Sequence, residues 1–191
     1  MPPIFLYVYK GTEIYFLVGI SYICKKHSPM HRKANKNDLQ FIYDLYMHPQ
    51  VNPYLLYEPM DMEEFKPIFN KLVENEIKYI FMDENGSPVG MFKLFPLTYR
   101  ASHIAYLGGL AIHPTFAGKG FGLKMMQKII DFANQEGYKR VELSVATENS
   151  RAINLYKKVG FEPEGTMRKY AYLKSEGRFL DELLMSYIQM E

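Results

Sequence analysis

The spacing of apolar positions changes along the chain, and the changes divide it into elements. Leu39, Ile42, Leu45 and Tyr46 recur at helical spacing, which puts them on one helix face. Asp38 precedes them as the helix cap, its carboxylate accepting from free amides of the first turn. His48-Pro49 ends that helix, and Val51 to Pro59 reads as a loop carrying Tyr54, Leu55 and Leu56. Met62 to Asn75 is a second helix with Phe65, Phe69, Leu72 and Val73 on one side; Pro67 fits only if the helix begins near it. Strands follow at Lys78 to Asp83, Pro88 to Leu97 and Ala101 to Ile112, the first two joined by a Glu84-Asn85-Gly86-Ser87 turn. Leu123 to Gln135 is a strongly periodic helix closed by Gly137. A strand at Arg140 to Val145, a helix at Ser150 to Lys158 and strands at Tyr170 to Lys174 and Phe179 to Ile188 complete the series. With a short strand just after Met30, the order is β, αα, βββ, α, β, α, ββ. That is a mixed α/β (α+β) chain, not an alternating doubly wound one.

Residues 1–29 differ from the rest. Two apolar runs, Ile4 to Tyr9 and Ile14 to Cys24, flank Lys10-Gly11-Thr12-Glu13. Both are shorter than the roughly 18–20 residues of a membrane helix, and no basic stretch precedes the first, so a secretory signal matches poorly. The Ile, Phe, Tyr and Val content reads as a β-hairpin. The pattern after Met30 also reads as a fresh start, with translation beginning there as an alternative. The expected organisation is an N-terminal apolar extension over 1–29 and one domain over 30–191.

Composition narrows the function classes. The chain has 191 residues, 23 Lys+Arg against 21 Asp+Glu, hence a net charge of +2, too little for a nucleic-acid footprint. Hydrophobic residues at 48% and charged residues at 23% suit a globular domain. The single cysteine, Cys24, excludes an intramolecular disulfide framework and fits a reducing cytoplasm. Five scattered histidines and one cysteine have no metal-ligand spacing, so no metal is expected.

The chemistry concentrates in two segments. In the first, the strand ending Leu110-Ala111-Ile112 leads through His113-Pro114-Thr115-Phe116 into Ala117-Gly118-Lys119-Gly120-Phe121-Gly122 and a helix. Glycines let backbone amides approach an anion, a helix N-terminus adds positive potential, and Lys119 could add charge at the rim. The same glycines also read as a turn that only redirects the chain. A Rossmann unit is a poor match, because this loop follows a meander of strands, and no Gly-Lys-Ser/Thr supports a Walker loop. In the second segment, Asn149 opens a helix and Tyr156 follows two turns later. Alone, these read equally as an N-cap and a core tyrosine.

At this spacing the pair resembles the GNAT superfamily of acyl-CoA-dependent N-acetyltransferases. The Gln/Arg-x-x-Gly-x-Gly/Ala signature maps onto Ala117 to Gly122. The Asn-x-x-Ala-x-x-x-Tyr…Gly-Phe signature maps onto Asn149, Ala152, Tyr156, Gly160 and Phe161. Glu164-Gly165-x-x-Arg168 with Gly177…Asp181 is similar to the branch holding ribosomal-protein and spermidine acetyltransferases. The resemblance implies a central, mixed, splayed β-sheet flanked by helices, and acetyl-CoA as cosubstrate. Amides around Gly118, Gly120 and Gly122 would hold the pyrophosphate, Leu110 and Ile112 would pair with the pantetheine arm, and Asn149 would bond the cofactor. Tyr156 would protonate the departing thiolate; a thiol near pKa ~8.5 and a phenol near ~10 are close enough for transfer. Two positions depart from the family pattern. Ala117 stands where Gln or Arg is usual, and Ser144 stands where some members carry a basic Glu. Glu142, on the same strand face as Ser144 by period two, and Glu58 in the substrate-side loop are the candidate bases, with His103 and His113 as further ones.

The acceptor is expected between the first two helices and the last hairpin, near Tyr54, Tyr57, Glu58, Asp61, Tyr170 and Tyr172. Aromatics with acids suit a cationic amine, and an aromatic core under a loop is the other reading. The expected activity is acetyl transfer to a primary amine by direct attack, on a small molecule or a protein. No nucleic acid or membrane partner is expected, and a homodimer is an allowed assembly. A non-catalytic CoA-binding sensor or interaction module is the alternative, motivated by Ala117 and Ser144. A tether through residues 4–24 is a third reading.

Overall fold

Alternate residues of the central strands belong to two different cores. In the computed structural model, residues 7–10, 13–16, 30–55 and 57–190 are described. Strands β1 (Tyr7–Lys10) and β2 (Glu13–Phe16) pair antiparallel as a separate two-stranded sheet, with Lys10 opposite Glu13. The expected hairpin therefore forms where it is described. The rest of the second apolar run, including Cys24, lies outside the described residues.

The main sheet has seven strands: β3 (His31–Lys33), β4 (Lys78–Met82), β5 (Pro88–Pro96), β6 (Ile104–Ile112), β7 (Arg140–Ala146), β8 (Glu162–Leu173) and β9 (Arg178–Ile188). Their spatial order is β3-β4-β5-β6-β7-β9-β8. Helices α1 (Leu39–Met47) and α2 (Met62–Glu74) bury Ile42, Leu45, Phe65 and Phe69 with Ile80, Met82 and Met91 of the sheet. Helices α3 (Phe121–Gln135) and α4 (Ser150–Lys158) bury Met125, Met126, Ile129 and Tyr156 with Phe81, Val89 and Phe92. Neighbours Ile80 and Phe81 thus serve opposite cores, as a pleat of period two requires. Each side chain of this size stabilises the fold by roughly 1.5–3 kcal/mol through burial.

Every pairing in the sheet is antiparallel except β6 with β7. That parallel pair is joined only at Ile104–Tyr106 with Arg140–Glu142. Beyond Tyr106 and Glu142 the two strands run on unpaired with each other, so the sheet opens as a fork. In β6, Gly109 and Leu110 together oppose Phe92, a bulge that bends the strand at the fork. The mixed, splayed sheet flanked by helices is the expected architecture.

Several boundaries differ from the sequence expectation. The cap before α1 is Asn35 rather than Asp38: Asn35 caps a 3-10 turn at Lys36–Asp38, and the Asp38 side chain makes no cap bond to α1. Asp38 instead accepts from the Asn35 amide at 2.8 Å and pairs twice with Arg32, at 2.8 Å each. Pro67 sits inside α2, five residues after its first residue, on an exposed face. The capping box of Asp61 and Glu64 starts the helix early and offsets the missing amide donor. Strand β6 begins at Ile104 because Tyr99–Ala101 forms a 3-10 turn. Strand β8 begins at Glu162, eight residues before the expected start at Tyr170.

Candidate active site

The fork between β6 and β7 leads into a cleft of about 460 Å3, within the size range of small-molecule sites. Its floor is the edge of β6 that β7 leaves unpaired, and Leu110 and Ile112 line it. An unpaired strand edge offers amide and carbonyl groups to an extended ligand.

One end of the cleft is the start of α3. Gly118 and Gly120 adopt left-handed backbone at φ +76° and +81°, where no side chain would be comfortable. Gly120 is the N-cap, and no side chain bonds the first-turn amides. Those amides have no partner within the helix, the arrangement by which a helix start can take an anion. Ala117, Gly118, Gly120 and Gly122 line the cleft, as does Arg151 of α4. Lys119 is exposed, its ammonium 5.5 Å above the Phe116 ring, and is not among the lining residues.

Helix α4 supplies the other wall. Asn149 caps α4, its side-chain oxygen accepting from the Ala152 amide at 3.1 Å, and it also lines the cleft. The cap uses the carbonyl half of the carboxamide and leaves the NH2 for a ligand. Tyr156 is 7% exposed, packs at 6.0 Å from the Phe161 ring, and lines the cleft. It is a core tyrosine and a cleft tyrosine at once. Burial, and then the nearby Tyr106, push its phenol above the ordinary range, so it holds its proton throughout neutral pH.

The candidate bases separate. Glu142 lies at the closed end of the fork, opposite Tyr106 in register, and accepts from Arg140 Nε at 2.6 Å. It lines neither this cleft nor the chamber described next. Ser144, two residues on, does line the cleft and shares a 2.9 Å hydrogen bond with the Tyr106 hydroxyl. His113 caps the Pro114–Phe116 turn and bonds Thr115 at 2.8 Å. His103 is exposed, and its carbonyl accepts from the Lys139 amide at 2.9 Å. Asp61 is the α2 cap.

A second chamber of about 370 Å3 adjoins the cleft. Tyr57, Glu58, Tyr170 and Tyr172 line it, and Tyr54 lines both cavities. Glu58 accepts from the Lys174 amide at 3.1 Å, and burial raises the Tyr57 phenol. Tyr170 reaches the chamber because β8 bulges: Arg168, Lys169 and Tyr170 together stand opposite Asp181, and the Lys169 amide donates to the Asp181 carboxylate at 2.7 Å.

One residue on these walls escaped the sequence reading. Glu182 of β9 is 6% exposed and lines both cavities. Among the described residues, its Oε2 is the buried side-chain atom without a hydrogen-bond partner. Its signal was phase: Glu182 stands in register with Leu180 and Leu184, on the apolar alternation of its strand. Among the described residues, no group of three His, Cys, Asp or Glu side chains could hold a metal. No helix among them is long and apolar enough to cross a membrane.

Comparison with known proteins agrees with this geometry. Residues 39–161 match the acetyltransferase (GNAT) family. The chain is 26% identical over 162 residues to the spermidine N(1)-acetyltransferase of Vibrio cholerae, covering 83% of this chain and 91% of that one. It is 28% identical over 161 residues to the L-amino acid N-acetyltransferase AaaT of Escherichia coli, covering 83% and 96%. Among solved structures, the Vibrio cholerae spermidine N-acetyltransferase in complex with CoA and spermine superposes with a TM-score of 0.73 at 25% identity, over 83% of this chain and 94% of that one. The family match spans more than half of the sequence, and the chain belongs to the GNAT family of N-acetyltransferases.

Proposed function

We propose that this protein transfers the acetyl group of acetyl-CoA to the primary amine of a small molecule by direct attack, with Tyr156 as the acid. The observation that carries the reading is that Tyr156 and the start of α3 line one cleft. Acetyl-CoA brings an activated thioester when bound. The amides of Gly118, Gly120 and Gly122 hold its pyrophosphate, the Asn149 NH2 donates to it, and the free edge of β6 at Leu110 and Ile112 aligns its arm. The acceptor nitrogen bonds to the thioester carbonyl carbon and the carbon–sulfur bond breaks. Tyr156 gives its proton to the sulfur as that bond breaks, and regains one from the nitrogen. Burial that raises the phenol raises the thiolate's basicity as well, since both anions are poorly solvated there. The reading assigns all of this to residues 30–191, in the cytoplasm where acetyl-CoA is made and used.

The relatives named for spermidine and for L-amino acids support a small amine as acceptor. Glu58 stands on the acceptor side, and Glu142 supports the fork through Arg140. Replacing Tyr156 with Phe tests the assignment. CoA affinity should change less than twofold while kcat falls by about 10^2 to 10^4. An unchanged kcat removes Tyr156 from the chemistry. A wild type that binds CoA and turns over no amine favours a CoA sensor.

A further inference from the structure

Glu182 has no role in the chemistry above, yet it is the least comfortable group on the walls of the site. A buried carboxyl oxygen left without a hydrogen-bond partner destabilises the fold. Replacing such a group with an apolar one often stabilises a protein. The carboxylate is held where that penalty is real: β9 is paired on both sides here, with Ala146 of β7 and Met167 of β8 opposite Glu182. The pairing fixes its backbone, so the side chain stays on the cavity face of the sheet. What it lacks is a donor, and the space in front of it is open to ligands on two sides.

The second chamber tells which donor. Its lining holds two carboxylates, Glu58 and Glu182, four tyrosines, and no lysine or arginine among the described residues. Acidic groups set among aromatic faces attract an alkylammonium and repel anions. Glu58 already accepts one amide bond, from Lys174, whereas Glu182 Oε2 accepts none. Glu182 is also where the chamber meets the cleft that holds Tyr156, since it lines both. An amine bound there is at the threshold of the thioester.

Resting on the acetyl-transfer reading, we propose that Glu182 binds the acceptor's ammonium group at the junction of the two cavities. It selects flexible, positively charged aliphatic primary amines that enter through the tyrosine chamber. The ammonium satisfies the orphaned oxygen, then gives one proton to solvent, and the free amine reaches the reaction already oriented toward the β6 edge.

The test is calorimetric titration of the CoA-loaded protein with spermidine, and separately with n-butylamine, in wild type, Glu182→Gln and Glu182→Asp. Spermidine should bind the wild type at least tenfold more tightly than Glu182→Gln, with Glu182→Asp in between. CoA affinity should be the same in all three. Melting temperature of the free protein separates this role from a structural one: Glu182→Gln should melt no lower than the wild type, because it removes a charge that lacks a partner. Equal amine binding by wild type and Glu182→Gln, or no binding of either amine by the wild type, overturns the inference. If Glu182→Gln does not fold, the comparison of wild type with Glu182→Asp decides, and equal affinities overturn it. Glu182-dependent amine binding without any thiol release from acetyl-CoA overturns the acetyl-transfer reading and leaves the inference standing.

Discussion

Lys78 Nζ lies 3.2 Å from the Gly109 carbonyl oxygen, at the bulge that opens the fork. The same nitrogen donates to the Tyr46 hydroxyl at 3.2 Å and sits 4.7 Å above the Tyr46 ring. Gly109 holds φ +52°, and a Cβ there would meet the Tyr46 hydroxyl at 2.8 Å. Lys78, Tyr46 and Gly109 therefore hold the shape of β6 at its bulge.

Complete burial, and then the neighbouring Lys93, hold the Lys78 amine well below the ordinary lysine range. The unfolded chain then carries one more proton than the folded one at any pH between that lowered value and 10.5. Stability rises with pH across this window, by up to about 1.4 kcal/mol per unit. Lys78→Met removes the difference. Urea unfolding at pH 7 and pH 9 should give the wild type a gain that Lys78→Met lacks, by up to about 2.7 kcal/mol. The same pH dependence in both proteins contradicts the assignment.

Asp38 is the opposite case. Burial raises its carboxyl, but the hydrogen bonds from Arg32 and the Asn35 amide, with the Arg32 charge, outweigh that and leave it below its ordinary value of 3.8. Its contribution is present above pH 3.8 and is lost as pH falls through the lowered value. Asp38→Asn should cost about 2 kcal/mol at pH 7, less than the roughly 3–5 of a fully buried pair because Arg32 is partly exposed. Chemical denaturation at pH 7 and pH 3 should show the gap narrowing in acid. A gap that is absent at pH 7 removes the pair from the stability of the domain.

The two ends of α3 provide a matched comparison. Gly120 and Gly137 both sit at positive φ, +81° and +87°, with nothing within 4 Å of an added Cβ. Alanine at either should cost about 1–2 kcal/mol for backbone strain alone. Only Gly120→Ala should weaken CoA, by several-fold, because only that end lines the cleft. Equal CoA affinity in the two variants, read by calorimetry, removes the α3 start from the binding site.

Elements with a buried face were legible in the sequence. The expected ends of helix α4 match the observed ones, because Asn149 and Gly160 both punctuate it. The first half of β8 is illegible in the sequence because Glu162 to Lys169 lies on a largely exposed edge, where polarity and Pro163 hide the strand pattern. Asp38 fits a cap by residue type, and Arg32 six residues earlier pairs with it instead. Glu142 shares a strand face with Ser144, and period two alone cannot say that the fork opens between them. Glu182 was hidden by a different limit. An acid on an apolar register looks like a sequence irregularity until the second chamber is seen beside it.

The central claim is acetyl transfer to an amine, and its most direct measurement is thiol release from acetyl-CoA by the purified protein. The panel should contain spermidine, n-butylamine, L-amino acids and an N-terminal peptide. The account predicts saturable release with at least one cationic aliphatic amine, and an acetylated product of matching mass. No release with any member of the panel, from a protein that calorimetry shows to bind CoA, would contradict it.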